Sequence, residues 1–434
     1  MNVLLVGGGG REHALAWGLA RSPLVDRLIA APGNAGIAAL ATCVPVTAGD
    51  VDDIVSLARR EAVDLVVVGP EAPLVAGLAD ALRAEGVAVF GPDAAAARIE
   101  GSKAWAKEVM AAGAIPTANA KAFTELDPAL SFVDELGGGA VVKADGLAAG
   151  KGVTVALDRE AAAGALRACL EDGAFGEAGV TVVVEELLEG PEVSAFALSD
   201  GSTMVPLAVC QDFKRVGDGD RGPNTGGMGA YSPLPWLGPE TEATLWHLCE
   251  RTLTAMGAMG VPYRGVLYAG FMLTADGPKV LEYNCRFGDP ETEVLIPRLT
   301  SDLAELLHAA ATGKLAEVKV GWTAEAAVTV VLASGGYPGA YDTGVAIEGL
   351  AEASAVEGAE VFHAGTAQRG DRVVTAGGRV LAVSALGSTV SEARARAYEA
   401  GSKITFEGKT YRTDVAEAAA RKEVAANAAR EEVV

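Results

Sequence analysis

The stretch Ala140-Val141-Val142-Lys143-Ala144-Asp145-Gly146-Leu147-Ala148-Ala149-Gly150-Lys151-Gly152-Val153-Thr154-Val155 decides how the chain is read. An apolar, β-branched run ends near a lysine. A loop of small residues with three glycines and a second lysine follows, and then another β-branched run. The pattern predicts strand, flexible loop, strand: a hairpin whose glycines let the backbone lie close against a ligand. Backbone N–H groups and lysine ammoniums suit phosphate oxygens. No Gly-x4-Gly-Lys-Ser/Thr precedes a helix here, so the stretch is not a P-loop. The choice lies between a ligand-free mobile hairpin and a phosphate cradle, and two lysines among so many small residues favour the cradle.

Upstream, Asn2–Val6 is a short apolar run, followed by Gly7-Gly8-Gly9-Gly10-Arg11-Glu12-His13 and a helical pattern. Strand, glycine turn and helix in that order resemble the first crossover of a doubly wound sheet, where loop and helix N-terminus favour phosphate. Further strands are expected at Arg27–Ala31, Leu65–Val68 and Val87–Phe90, with helices at Val51–Glu61 and Leu74–Glu85. Their turns, which include Gly33, Asn34 and Glu71, would gather at the carboxyl ends of the strands. The glycine pattern fits a dinucleotide poorly, because Glu12 stands where the third glycine belongs. A small phosphorylated sugar fits as well or better. Arg11 and His13 read either as a solvated helix start or as ligand contacts, and the four glycines beside them favour contact.

Downstream, Ser102 is a plausible N-cap of a helix that begins at Lys103. Ala161–Leu170 is a further helix. Val180–Leu198 reads as strand, acidic link, strand; amides of the link Glu185-Glu186-Leu187-Leu188 could meet an adenine edge, and Glu192 a ribose, or the link is an acidic turn on a sheet edge. Gln211-Asp212-Phe213-Lys214-Arg215 leads into a long loop, Asp218–Ala230, that holds Asn224, Thr225 and Gly226 and is rich in glycine, charge and amides; segments this long in compact domains are functional or disordered, and its turn chemistry argues for order. In Pro278–Glu291, strand alternation puts Glu282, Asn284 and Arg286 on one face. A carboxylate and an amide oxygen two residues apart suit Mg²⁺, which also takes phosphate oxygens and water. Arg286 beside them can hold a carboxylate or a developing phosphoryl charge.

Composition sets the outer limits. At 434 residues the chain has room for about two to four domains. Half its residues are hydrophobic and 21% charged, a globular composition. The net charge of −22 and pI of about 4.6 argue against nucleic acid or an anionic membrane as partner. Five scattered cysteines without metal-ligand spacing point to a reducing compartment, and no apolar run reaches the ~18 residues of a membrane span. A cytoplasmic protein is expected.

At these residues the chain resembles the phosphoribosylamine–glycine ligase (glycinamide ribonucleotide synthetase) family of ATP-grasp enzymes. The resemblance rests on Gly9-Gly10-Arg11-Glu12-His13-Ala14, Ala31-Pro32-Gly33-Asn34-Ala35-Gly36, Val68–Leu74, Lys143–Gly152, Gln211–Arg215, Gly222–Ala230 and Glu282–Glu291, in order along most of the chain. It implies ATP held between two α+β subdomains, with the hairpin closing over the phosphates. Lys103, Lys143, Gly146, Gly150, Lys151 and Gly152 would contact phosphates, Glu185, Glu186 and Leu188 adenine, and Glu192 ribose. Glu282 and Asn284 would bind Mg²⁺ or Mn²⁺. Gly9, Gly10, Arg11, Gly33, Asn34 and Glu71 resemble a site for 5-phosphoribosylamine. Asp212 and Arg286, with Asn224, Thr225 and Gly226 nearby, would hold glycine, and Arg286, Lys143 and Asp212 would serve the reaction itself.

The expected fold class is α/β and α+β: a Rossmann-like domain over 1–101, an ATP-grasp domain over 102–312 and a small α+β domain over 324–420. Partners would be small molecules, with the chain a monomer or weak homodimer. Another ATP-grasp enzyme, such as a biotin-carboxylase-like protein, is the alternative. A silent nucleotide sensor would lack Lys143, Glu282 or Asn284, and an NAD-dependent oxidoreductase is disfavoured by the glycine pattern. In the C-terminal region Val361–Thr366 reads as a strand, Ser391–Gly401 as a helix, His363 as structural, and Val415–Val434 as a helical tail. Two departures from the family occur: Ala416 replaces a glycine after Arg412-Thr413-Asp414-Val415, and Gly8 stands where relatives often carry a polar residue.

Overall fold

The structure is a computed structural model and describes residues 1–148 and 152–423. Gly150 and Lys151 of the hairpin, and the tail beyond residue 423, lie outside the described residues.

The first sheet has five parallel strands in the order Thr42–Cys43, Arg27–Pro32, Asn2–Gly7, Leu65–Val68 and Ala88–Phe90. Val3, Leu4, Leu5 and Val6 are all fully buried, as a strand covered on both faces requires. Helices pack on it through spaced apolar residues. In Val51–Arg60, Ile54, Leu57 and Ala58 turn inward, the Asp50 carboxylate accepts from the Asp53 amide, and Arg59 and Arg60 close the last turn. The sheet order reverses around Asn2–Gly7, so the crevice lies at its carboxyl end, beside Gly8–Arg11.

The single helix expected at Leu74–Glu85 is two helices, Glu71–Val75 and Leu78–Ala84. Gly77 at φ +88° breaks it, because a left-handed residue cannot continue a right-handed helix.

The Lys143 hairpin belongs to a four-stranded antiparallel sheet, in the order Ala120–Phe123, Val182–Glu185, Ala140–Ala144 and Val153–Ala156. Lys143 pairs in register with Val153. Helices Leu126–Glu135 and Arg159–Leu170 cover one face and share a separate small core around Phe132, Val133, Val142, Leu166 and Val184. A body with its own core can move as a unit against the rest.

An eight-stranded sheet forms the centre. Its order is Gly277–Asn284, Arg264–Thr274, Glu192–Asp200, Met204–Asp212, Gly229–Ser232, Ala326–Ala333, Arg379–Gly387 and Ala359–His363. The C-terminal strands therefore extend the central sheet, through pairing of Gly229–Ser232 with Ala326–Ala333. The strand expected over Val361–Thr366 is divided: Ala359–His363 ends, and Thr366–Arg369 pairs instead with Arg372–Thr375. Ala416, at the family's glycine position, adopts φ +58° and is buried, so the alanine carries a conformation that glycine takes freely. At Gly8 a Cβ would run into the Gly33 carbonyl oxygen, so a side chain there requires the Gly33 turn to shift. No helix among the described residues is long and apolar enough to cross a membrane.

Candidate active site

The site is built on Gly277–Asn284. Its pairing with Arg264–Thr274 slips by one residue: Gly270 faces Glu282, whereas Phe271 faces Val280. Leu281 is thus a bulge with an unpaired carbonyl, and that carbonyl accepts from Lys143 Nζ at 2.9 Å. The bulge resets the alternation, so Val280 stays fully buried while Glu282 lines the cleft. Arg286 Nη2 donates to Asn284 Oδ1 at 3.2 Å, which brings the expected residues of this strand end together.

Four cations surround the Glu282 carboxylate. Burial pushes its pKa up, but Lys214, Lys143, Lys103 and Arg286 outweigh burial and hold it below the ordinary glutamate value. Lys143 comes from the hairpin strand and Lys103 from the start of helix Lys103–Ala112, where the Ser102 side chain accepts from the Trp105 amide as expected. Lys103 Nζ donates to the Gly146 carbonyl at 3.0 Å, tying the helix start to the hairpin. Burial lowers the Lys103 pKa and neighbouring Lys143 lowers it further, against the opposing pull of Glu282. Such a crowd of buried ammoniums is a site for an anion.

Glu185 is the counterweight. Its carboxylate is buried between Lys143 Nζ and Lys107 Nζ, each at 2.9 Å. Glu185 was expected at the adenine, and its side chain is here engaged with two ammoniums. Lys107, which the sequence reading did not single out, also donates to Thr117 Oγ1 at 2.8 Å, and Thr117 to the Val280 carbonyl at 2.6 Å. Glu186 takes the Asn119 amide at 3.0 Å and lies 3.4 Å from Lys279, and Leu188 sits between this point and the strand that begins at Glu192. Gly146 and Gly152 let the hairpin fold tightly: a Cβ on either would fall 2.7 Å from Ala178 Cβ or 2.6 Å from Ala148 Cβ.

Asp212 ends strand Met204–Asp212. Burial raises its pKa to about 7, with Glu291 and Glu192 adding to the rise and Lys214 opposing it. Lys214 itself pairs with Glu192 Oε2 at 2.7 Å, so the residue expected at a ribose is joined to the loop of Asp212. Thr225 closes that loop: its amide and hydroxyl donate to the Lys214 carbonyl at 2.8 and 2.9 Å. Asn224 pairs with Arg215, and Gly226 donates to the Tyr337 hydroxyl and accepts from Arg379.

At the first-domain end, Arg286 is gripped by Glu71 at 3.2 Å and Glu100 at 3.0 Å. Burial raises the Glu100 pKa, with Arg286 opposing it; in Glu71 the guanidiniums of Arg286 and Arg11 overcome burial and lower it. Arg11 pairs with Glu12 at 2.6 Å and donates to the Phe287 carbonyl at 3.1 Å. Gly9 donates to Glu12 Oε2 at 2.6 Å, and Asp289 Oδ2 accepts from the Arg11 amide at 3.3 Å, at the N-terminus of helix Gly10–Ala20. A side chain at Gly10 would meet Glu293, whose carboxyl is fully buried without a hydrogen-bond partner and whose pKa burial drives well up. Gly33, at φ +73°, lets Asn34 turn back, and Asn34 bonds the Gly36 and Ile37 amides and the His363 carbonyl. His13 Nδ1 accepts from the His363 amide at 2.7 Å, and burial lowers the pKa of His13 to about 3 and of His363 to about 4. His13 is therefore committed to joining the first domain to the C-terminal one.

Glu282 and Asn284 supply two hard oxygen donors, one of them an anionic carboxylate set among cations. That donor set fits a small divalent ion that completes its shell from substrate phosphates and water.

A two-part grasp of this kind, with a hairpin sheet facing a central sheet across a cationic cleft, defines the ATP-grasp class of enzymes. The chain matches the phosphoribosylglycinamide synthetase N domain over residues 1–100, its ATP-grasp (A) domain over 101–292 and its C domain over 327–418. It belongs to this family. A relative from Agrobacterium fabrum named phosphoribosylamine–glycine ligase is 54% identical over 96% of this chain and 98% of its own. A crystal structure of phosphoribosylamine–glycine ligase from Thermotoga maritima superposes with a TM-score of 0.84 at 35% identity, covering 95% of this chain and all of that one. The biotin carboxylase domain of 2-oxoglutarate carboxylase from Hydrogenobacter thermophilus shares the fold at 18% identity, with a TM-score of 0.73 over 94% of this chain and 91% of its own. The biotin-carboxylase-like alternative therefore gives way: the carboxylases resemble this chain in fold, and the ligases in sequence as well.

Proposed function

We propose that the chain joins glycine to 5-phosphoribosylamine through a glycyl phosphate, giving glycinamide ribonucleotide, ADP and phosphate in purine synthesis. The observation that carries the reading is that Lys143 of the hairpin sheet bonds the Leu281 carbonyl at 2.9 Å and Arg286 bonds Asn284 at 3.2 Å, on either side of Glu282, with Lys103 tied to the same hairpin at Gly146. A carboxylate is a poor electrophile. A glycine carboxylate oxygen attacks the γ-phosphorus of ATP and ADP leaves; the amine then attacks the glycyl carbonyl, phosphate leaves, and the nitrogen loses a proton as the amide forms. No protein nucleophile is needed, so catalysis is positioning and charge neutralisation. Lys103 and Lys143 hold phosphoryl oxygens, and one such preorganised group contributes about 10²–10³ in rate. Arg286 holds the glycine carboxylate and Asp212 its ammonium. A divalent ion, Mg²⁺ or Mn²⁺, held by Glu282 and Asn284, supplies further neutralisation of phosphate charge when bound. Loops around Gly9, Arg11, Gly33, Asn34 and Glu71 receive phosphoribosylamine, and the hairpin sheet excludes water from the acyl phosphate. Five free cysteines support a reducing, cytoplasmic setting.

The test is phosphate release from ATP with glycine and phosphoribosylamine omitted in turn. Release that requires both is expected. Release with bicarbonate in place of glycine overturns the reading.

A further inference from the structure

The reaction as described does not use Arg412-Thr413-Asp414-Val415. Arg412 is nevertheless a fully buried large side chain, 1% exposed. Its guanidinium forks onto Asp414, with Nε and Nη2 each 2.7 Å from a carboxylate oxygen. Nη1 reaches into the substrate loop, to Asp220 Oδ1 at 2.6 Å and the Arg215 carbonyl at 3.1 Å. The plane of charge lies 4.9 Å from the ring centre of Phe213, the residue between Asp212 and Lys214. Two more ties run the same way: the Gly219 amide donates to Asp414 Oδ2 at 2.8 Å, and the Thr413 amide to Asp218 Oδ1 at 2.8 Å. Beneath them Val415 packs so close to Gly229 that a Cβ there would fall within 2.8 Å of it.

The segment is itself fixed from behind. Tyr398, on helix Val390–Lys403, donates to the Arg412 carbonyl at 2.7 Å and accepts from the Val415 amide at 3.1 Å. Arg394 donates to the Val415 carbonyl at 2.9 Å. The hairpin it grips pairs only Arg215–Gly217 with Arg221–Asn224, too little to hold a shape alone.

We propose that Arg412-Thr413-Asp414-Val415 is a latch by which the C-terminal domain positions the loop that follows Asp212, with Arg412 as the positioning residue that sets where Lys214 stands beside Asp212. The role in glycine binding rests on the reading that this loop receives glycine. Removing Arg412 frees the loop while Lys103 and Lys143 keep their contacts to the hairpin and the central strand. Displacement of a positioned group by about 1 Å costs up to 10²-fold. Arg412→Met is therefore expected to raise the glycine KM about 10–100-fold and the ATP KM by less, through the Lys214–Glu192 pair alone. Arg412→Lys, a single point charge without the fork, is expected to fall between. The double variant D218N/D220N, altered at exposed residues, reports the same effect more weakly if Arg412→Met folds poorly.

Hydrogen exchange of the ligand-free variants supplies the second readout. Faster exchange across residues 217–229, with first-domain amides unchanged, supports the latch when the glycine KM also rises. Faster exchange with an unchanged glycine KM leaves the latch intact but overturns the assignment of glycine to this loop. Unchanged exchange overturns the latch, whatever happens to KM.

Discussion

Arg286→Met separates what the site does for stability from what it does for chemistry. The Arg286 side chain is 18% exposed, its partner Glu100 9% and its partner Glu71 27%. The Glu71 pair, nearer solvent, accounts for about 0–1 kcal/mol. The Glu100 pair is different, because removing one partner strands a buried carboxylate, at about 3–5 kcal/mol. Glu100 keeps one bond, from the Cys285 amide at 2.8 Å, and can escape by taking up a proton. We therefore expect Arg286→Met to lose about 3–4 kcal/mol at pH 8. The sign with pH follows from linkage. A stranded Glu100 has a folded pKa above its unfolded value, so stability falls as pH rises through that range and the loss shrinks toward pH 5. Glu100→Gln keeps an acceptor for the Cys285 amide, so adding it to Arg286→Met should restore about 2 kcal/mol as a coupling energy. Urea unfolding followed by circular dichroism at pH 5.5 and 8 measures all four members of the cycle. Additive losses that do not vary with pH would refute the argument.

Lys143→Met should lower kcat by about 10²–10³ with the circular dichroism spectrum unchanged; undiminished turnover would remove Lys143 from the reaction. Asp212 titrates at about 7, so if its anion holds the glycine ammonium, the glycine KM should climb about tenfold per pH unit below that point and stay flat above it. A profile from pH 5.5 to 8.5 with no such break would sink that role. Glu293 has a raised folded pKa, so its ionisation costs stability as pH rises above the unfolded value of ~4.3. Glu293→Gln should then melt higher than the parent at pH 8 and equal to it near pH 4, whereas equal melting at both would show the carboxyl is no burden. His13 and His363 are held below their ordinary pKa, so each should make the folding constant fall about tenfold per pH unit as pH drops from ~6 toward 4, in an acid-unfolding series that His13→Asn flattens.

The hairpin and the Glu282–Asn284 pair were legible because period-two alternation and ligand chemistry are local properties of the chain. The bulge at Leu281 was not, since the apolar pair Val280-Leu281 reads equally as part of a strand buried on both faces, and only the pairing with Phe271 reveals the slip. Nothing local singles out Glu100; its meaning depends on Arg286, 186 positions away. Lys107 and Lys214 were hidden for the same reason, as their partners Glu185 and Glu192 arrive from other strands. Gly77 was readable as a helix breaker, but the apolar spacing on either side of it carried the expectation of one helix. The parallel first sheet was plain from its buried runs, whereas nothing local announced that Gly229–Ser232 would pair with Ala326–Ala333.

That last pairing makes the C-terminal region an inseparable piece of the enzyme. A fragment ending near residue 312 would keep Gly229–Ser232 but lose its neighbour, leaving a bare row of amides and carbonyls on the rim of the central sheet. Such a rim recruits other chains. Gene fission at this junction would therefore yield an aggregating half, and a split reporter built from this scaffold belongs in the first sheet's exposed turns instead.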